Sequence, residues 1–313
     1  KIPLAGVPCH AVEGYISRLI AKGYKVAVCD QVEDAKHAKG IVKREVVRVI
    51  TPGTVIDEGM LTSPAACYLM AIAADDRAPG LGLAFIDVST GEFLAIACGR
   101  DGGNGDLISE IRRYQPAECL LPRELEQDLE GPVRECGVVV TGTGASPDLD
   151  EAEGLLKEQF GVAGLEGYGI TGSPAAVKAA AIALRYAKET QRREFSHVRG
   201  LSFRQISEYC MIDSITQRNL EITRGTRGRH GDPTLLSVLN LTGTPMGSRL
   251  LRQWLTAPLL SVSRINDRLD AVEFFAGDTP VRVKIRDLLS RTADIERIAG
   301  RIACRNASPR DLI

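Results

Sequence analysis

The chain has 313 residues, 44% hydrophobic and 25% charged, with a formal net charge of −1, the composition of an ordinary water-soluble globular protein with room for two or three cores. No apolar run approaches the roughly 18 residues that a membrane helix needs. The cysteines lack C-x-x-C spacing and the histidines form no pair, which argues against a disulfide framework or a zinc site and points to a reducing, cytoplasmic setting.

The near-zero charge hides a segmental pattern. Residues 1–53 and 194–313 are net basic, while residues 54–193 are net acidic. A phosphate backbone would be drawn to the flanks and repelled by the middle, so any nucleic acid is expected on the flanking segments.

In the first segment Val12, Ile16, Leu19 and Ile20 fall at helical spacing, and Gly23 stops the pattern. Residues 24–29 and 45–51 are rich in β-branched side chains and read as strands. Thr51-Pro52-Gly53-Thr54 reads as a turn or linker. Fewer than about 60 residues make a thin core, so residues 1–53 are expected to be part of a mixed α/β domain, followed by a linker over 54–61.

Residues 62–193 read as a second, α/β domain. Residues 68–74 and 81–88 are apolar strands, and Ser89-Thr90-Gly91 turns the second into a third at 92–98. A short helix over 107–114 precedes strands at 119–121 and 138–140. The acidic stretch 146–153 reads as a solvated loop. Residues 175–190, mostly alanine with Ile182, Leu184 and Tyr186, predict a long helix.

Residues 194–313 read as all-α. Asp232-Pro233, Thr244-Pro245, Thr279-Pro280 and Ser308-Pro309 each pair a capping side chain with proline at a first helical position. Met246, Leu250 and Trp254 form an apolar stripe that places Trp254 in a core, with Arg249 and Arg252 off the stripe. Ile265, Leu269, Val272 and Phe275 make a second such face, and Ile295, Ile298 and Ile302 a third. Lys1-Ile2-Pro3 offers no initiator methionine, and the helix start at Ser308 has little chain behind it, so a fragment of a longer protein is expected.

Two signatures are missing from these residues: the G-x-x-x-x-G-K-[ST] phosphate loop and any Phe-x-Glu tripeptide. No catalytic, cofactor-binding or metal-binding residue is assigned. A metal-dependent nuclease remains a rival reading, because Asp87 on a strand and Glu92 on its hairpin partner could converge. Asp75, Asp76 and Glu110 show no spacing that would complete such a site. A further alternative is a scaffold that docks a protein partner through the acidic region 124–153. The basic, glycine-broken stretch 224–230 reads as a solvated loop.

Several phrases, in order along the chain, resemble one family. Thr234-Leu-Leu-Ser-Val-Leu-Asn240, Thr244-Pro-Met-Gly-Ser-Arg249, Arg268-Leu-Asp-Ala-Val272, Asp294-Ile-Glu-Arg-Ile298 and Ala307-Ser-Pro-Arg-Asp-Leu312 resemble the core of the MutS family of DNA mismatch repair proteins. Ala5-Gly6-Val7-Pro8 with residues 23–31 and 46–53 is similar to the second half of that family's mismatch-recognition domain. Phe85-Ile-Asp-Val-Ser-Thr-Gly-Glu-Phe93 resembles its connector, and residues 213–222 the opening of its helical core or lever domain.

The resemblance implies α/β plus all-α architecture: a partial recognition domain over 1–53, a ribonuclease-H-like connector over 62–193 and a partial helical core over 194–313. It implies an intact protein that binds mismatched double-stranded DNA as a homodimer, uses ATP and Mg, and meets a MutL-like partner through the connector. The Phe-x-Glu wedge and the ATPase site would lie outside this chain, so no cofactor is expected here. The resemblance also places the loop Gly6, Val7, Pro8 and His10 near DNA, and Lys22, Lys25, Lys43, Arg44 and Arg48 are the candidate phosphate contacts.

Overall fold

The computed structural model describes residues 6–8, 11–31, 42–61, 65–75, 78–99, 105–205, 208–210, 212–225 and 232–312. The N-terminal unit is built from one helix and one hairpin. Helix α1 (Val12–Ile20) ends where Gly23 adopts a φ of 82° and donates its N–H to the Ile20 carbonyl at 2.8 Å, the left-handed turn that glycine allows. Strands β1 (Val26–Gln31) and β2 (Arg44–Ile50) pair antiparallel. Ile16 and Ile20 meet Ile50, Val55 and Met60 in a small core, while Val12 and Leu19 of the same helix stay exposed.

The second unit is a six-stranded sheet sandwiched between helices. Strands β3 (Leu69–Asp75), β4 (Ala78–Asp87) and β5 (Glu92–Cys98) form an antiparallel meander. Strand β6 (Glu118–Leu121) runs parallel to β3, β7 (Val139–Gly142) parallel to β6, and β8 (Ser202–Gln205) parallel to β5. The order across the sheet is β7-β6-β3-β4-β5-β8.

Alternation along β3 explains the two layers, because successive side chains point to opposite faces. Met70 and Ile72 join the core under α2 (Gly105–Tyr114) and α3 (Arg123–Glu135). Leu69, Ala71 and Ala73 join the core under α4 (Leu149–Phe160) and α5 (Pro174–Gln191). Both faces are covered, which is why the strands read as continuous apolar runs. Helix α5 lies so close to β4 that a β-carbon at Gly82 would overlap the Ala175 carbonyl. Small residues on both elements are what permit that approach.

The acidic stretch 146–153 is not a solvated loop. Asp148 accepts the Glu151 N–H at 2.8 Å and caps α4, the helix ends at Gly161 with φ 65°, and Ala152 and Leu156 are buried one turn apart. Helix α3 and strand β8 also had no counterpart in the sequence reading.

The third unit contains α6 (Ser214–Asn219), α7 (Leu235–Leu239), α8 (Pro245–Thr256), α9 (Val262–Gly277), α10 (Thr279–Ser290) and α11 (Ile295–Ala303). Thr244 caps α8 as expected, accepting the Gly247 N–H at 3.1 Å. Asp278 rather than Thr279 caps α10, and Thr234 rather than Asp232 caps α7. Ser308-Pro309 opens a single 3-10 turn, Pro309–Leu312, in which the Ser308 N–H donates to Asp311 at 2.6 Å.

The apolar stripes of this unit face outward. Trp254 is 38% exposed, with the Arg268 guanidinium stacked 3.8 Å from its ring centroid, and Leu250, Leu269, Val272, Phe275, Ile295 and Ile302 are exposed as well. This corrects the placement of Trp254 in a core. The buried positions of α8 are Arg249 and Thr256, and those of α11 are Arg297, Gly300 and Arg301. These helices turn their polar and glycine faces to the connector and to each other, so ion pairs and hydrogen bonds decide their seating.

Candidate nucleic-acid interface

The candidate phosphate contacts separate by what their side chains already do. Gly6, Val7 and Pro8 are exposed in the loop before α1, and the Pro8 carbonyl accepts the Ala11 N–H at 2.9 Å. His10 lies outside the described residues. Lys22, in the turn after α1, and Arg44, at the start of β2, are exposed. Lys43 is also exposed and pairs with Glu45 at 2.6 Å, and hydrogen bonding to Glu45, with its charge, holds the Lys43 pKa above the ordinary lysine value.

Lys25 and Arg48 face inward in their interactions. Lys25 Nζ lies 3.6 Å from a Glu118 carboxylate oxygen and 5.5 Å from the Tyr186 ring centroid. Arg48 donates to Asp57 at 3.1 Å. Lys25 thereby ties the N-terminal unit to the connector, while Arg48 holds the segment that follows β2.

Glu118 is the centre of that joint. It is fully buried on β6, and its carboxylate accepts from Thr51 Oγ1 at 2.5 Å, the Gly53 N–H at 3.1 Å, Thr141 Oγ1 at 2.6 Å and the Tyr186 hydroxyl at 2.8 Å. A buried carboxylate is tolerated when its lone pairs are filled in this way. Burial first, and then the adjacent carboxylate, push the Tyr186 phenol pKa well up. The segment Thr51-Pro52-Gly53-Thr54 is itself buried, and Gln191 of α5 donates to the Thr54 carbonyl at 2.7 Å. A bonded seam thus replaces a free linker at this point.

Asp57 extends the seam to the helical unit. One of its oxygens receives Arg48 and the other the side-chain amide of Asn306, just beyond α11. Nearby, Arg297 donates to the Ala65 carbonyl at 2.7 Å. Also against the connector, Arg252 of α8 donates to Gln115 at 2.8 Å and Gln253 to Glu92 at 2.7 Å. Arg249 clasps Asp294 through two bonds of 2.7 and 2.8 Å and reaches Glu296 at 2.6 Å, a bidentate geometry that fixes α8 to α11.

The carboxylates of the nuclease reading are occupied by the fold. Asp87 is fully buried and accepts from the Ser89 N–H and hydroxyl at 2.9 and 2.6 Å and from the Cys67 N–H at 3.0 Å. Glu92 lies opposite it in register and receives Tyr68 and Gln253 at 2.7 Å each. Glu110 pairs with Arg113 at 2.8 Å, and Asp76 lies outside the described residues. Among the described residues no group of three or more His, Cys, Asp or Glu is placed to hold a metal. Cys67 is half-buried at the same seam, and desolvation, with the charge of Asp87, raises its thiol pKa to about 12.

Models of known families match the chain in sequence: MutS domain I over residues 1–59, MutS domain II over residues 67–199 and MutS domain III over residues 215–313. The chain belongs to the MutS family. It is 48% identical over its whole length to the DNA mismatch repair protein MutS of Methanococcoides burtonii, 47% to that of Methanosarcina acetivorans and 43% to that of Symbiobacterium thermophilum. It covers 35% of the first of these proteins and 36% of the other two, so it spans about a third of the length of the curated relatives it matches. Within the MutS frame, the Glu118 seam joins Thr51 and Gly53 of the domain I match to Glu118, Thr141 and Tyr186 of the domain II match, and Asn306 lies within domain III. No helix among the described residues is long and apolar enough to cross a membrane.

Proposed function

We propose that this chain is the part of a MutS-type mismatch repair protein that carries a DNA-contacting unit on a connector and couples both to a helical core. The observation that carries this reading is Asp57, which bonds Arg48 of the first unit and Asn306 of the third. A shift of the DNA-facing hairpin is therefore felt in the helical unit through one side chain. The intact cytoplasmic protein is read as binding mismatched double-stranded DNA as a homodimer under ATP and Mg control, with the mismatch wedge and the nucleotide site outside these residues. The β7-β6-β3-β4-β5 order, with a meander flanked by parallel strands, supports the ribonuclease-H-like reading of the connector. The burial and full bonding of Asp87 speak against nuclease chemistry there.

The MutL-like partner is assigned to the connector. Its acidic region is divided by the sheet, with α3 packed on one face and α4 on the other, so a partner docking there would meet the outward side of one helix at a time. Charge reversal of Glu124, Asp128 and Glu135, all exposed on α3, tests it: unchanged partner binding would rule this face out.

The functional reading is tested by binding the chain to matched and G·T-mismatched duplexes across a salt series, with ATP turnover read in the same samples. Weak, steeply salt-dependent binding without mismatch preference or turnover is expected, because only the electrostatic contribution remains. Mismatch preference or ATP hydrolysis by these residues would overturn the assignment of that chemistry to other parts of the protein.

A further inference from the structure

Between the connector and α8 lies a cleft of about 80 Å³, whose lining includes Tyr68, Arg113, Tyr114, Gln115, Arg249 and Arg252. Two of its three guanidiniums are neutralised in place: Arg113 by Glu110 at 2.8 Å, and Arg249 by Asp294 and Glu296 at 2.7 and 2.6 Å. Arg252 differs. It is half-buried, it donates to the neutral amide oxygen of Gln115 at 2.8 Å, and no carboxylate among the described residues lies within ion-pair distance of it. Burial and the like charge of Arg224 hold its pKa below the ordinary arginine value. Glu92, behind Tyr68, is already held by Tyr68 and Gln253.

Two further observations concern the connector wall. The Tyr114 hydroxyl accepts from Arg204 at 3.1 Å, and its own proton has no acceptor among the described residues. Gln115, the residue that occupies Arg252, stands at a φ of 50°, a left-handed conformation that residues other than Gly, Asn and Asp rarely adopt.

We propose that this cleft binds a single phosphate-class oxyanion, with the Arg252 guanidinium as principal ligand and the Tyr114 hydroxyl as second donor. The planar fork of arginine suits an oxyanion, and a charged acceptor replaces the neutral amide of Gln115 at a stronger bond. The cleft has room for one tetrahedral anion against Arg252. The anion is therefore either free phosphate or a terminal phosphate whose nucleoside projects from the mouth. Bound there, it bridges the connector wall to α8 and fastens the two units together. The site is independent of mismatch recognition, and its failure would leave the reading above untouched.

The test is calorimetric titration and thermal melting of the protein with sodium phosphate against sodium chloride at matched ionic strength, with ADP in a parallel arm. Arg252→Gln is expected to weaken phosphate binding by about tenfold or more, the factor carried by a charge-assisted hydrogen bond. Gln115→Asn, which tolerates the left-handed backbone and is too short to reach Arg252, is expected to tighten it. Displacement of phosphate by ADP would support the site as a terminal-phosphate receptor, and phosphate binding that ADP does not displace would support a free-anion site. Phosphate binding that is absent from the parent, or indifferent to Arg252→Gln, would overturn the proposal. Should Arg252→Gln not fold, unchanged or weaker binding by Gln115→Asn would overturn it equally.

Discussion

Gln253 of α8 donates to Glu92 of β5 at 2.7 Å, so the helical unit is bonded to one of the carboxylates that a nuclease would have needed. Tyr68 fills the other oxygen. Burial raises the Glu92 pKa, and the two donors only partly offset it. The folded state thus takes up this proton at a higher pH than the unfolded chain does, and Glu92's contribution to stability falls as pH rises through the interval between the ordinary and the raised value.

Gln253→Ala removes a donor from that carboxylate and is expected to cost roughly 1–3 kcal/mol, read as a lower melting temperature. The same variant should raise the Glu92 pKa further in a carbon-detected NMR titration. An unmoved Glu92 resonance would show that the contact is not made in solution.

Glu118→Ala leaves Thr51, Thr141, Tyr186 and the Gly53 N–H without their shared acceptor and Lys25 without its counter-charge. A loss of about 3 kcal/mol or more is expected for a buried carboxylate with this many partners. Lys25→Ala should cost much less, about 1 kcal/mol at most, since its side chain is 40% exposed and screened. Denaturant unfolding of the two variants checks the order; equal losses would contradict it.

Lys22 and Arg44 project from the first unit without an ion pair to a described residue, whereas Lys25 and Arg48 are engaged. The pair Lys22→Ala and Arg44→Ala is expected to flatten the logarithmic salt dependence of DNA binding by about 2, close to one unit per phosphate contact, with stability changed by about 0.5 kcal/mol or less. Arg48→Ala should do the opposite, lowering stability while leaving the salt slope nearly intact.

Asp294 is expected to govern the acid behaviour of the helical unit. Burial alone would raise its pKa, but the bonds and charge of Arg249 outweigh burial and hold it below the ordinary aspartate value. A depressed carboxyl contributes stability above its unfolded pKa and loses it as pH falls through the folded one. The parent should therefore exceed Asp294→Asn in melting temperature at neutral pH and lose that margin below about pH 4. A margin independent of pH would remove Asp294 as the cause.

The meander β3–β5 and helix α5 were legible because their apolar or alanine runs are long and unambiguous. Helix α3 was obscured by its charged outward side and by Pro132, although Leu125, Leu129 and Val133 recur at four-residue spacing and are all buried. Helix α4 was mistaken for a loop because its cap and first turn are acidic, the very feature that favours a helix N-terminus. Nothing local marks Glu118 as buried, since its partners come from residues 25, 51, 53, 141 and 186 and are assembled only by the fold. Trp254 shows the converse. Its stripe has helical spacing, but spacing identifies a helix face without stating what that face meets.

Gly300 gives the arrangement a mechanical consequence. A β-carbon there would overlap the Ser89 carbonyl, so α11 rests on the β4–β5 turn with bare backbone on both sides. No rotamer at that point can flex to let the two units slide or press closer. The turn acts as a fulcrum, and the bonds of Asn306 to Asp57 and of Gln253 to Glu92 serve as stays that limit how far the helical unit can tilt about it.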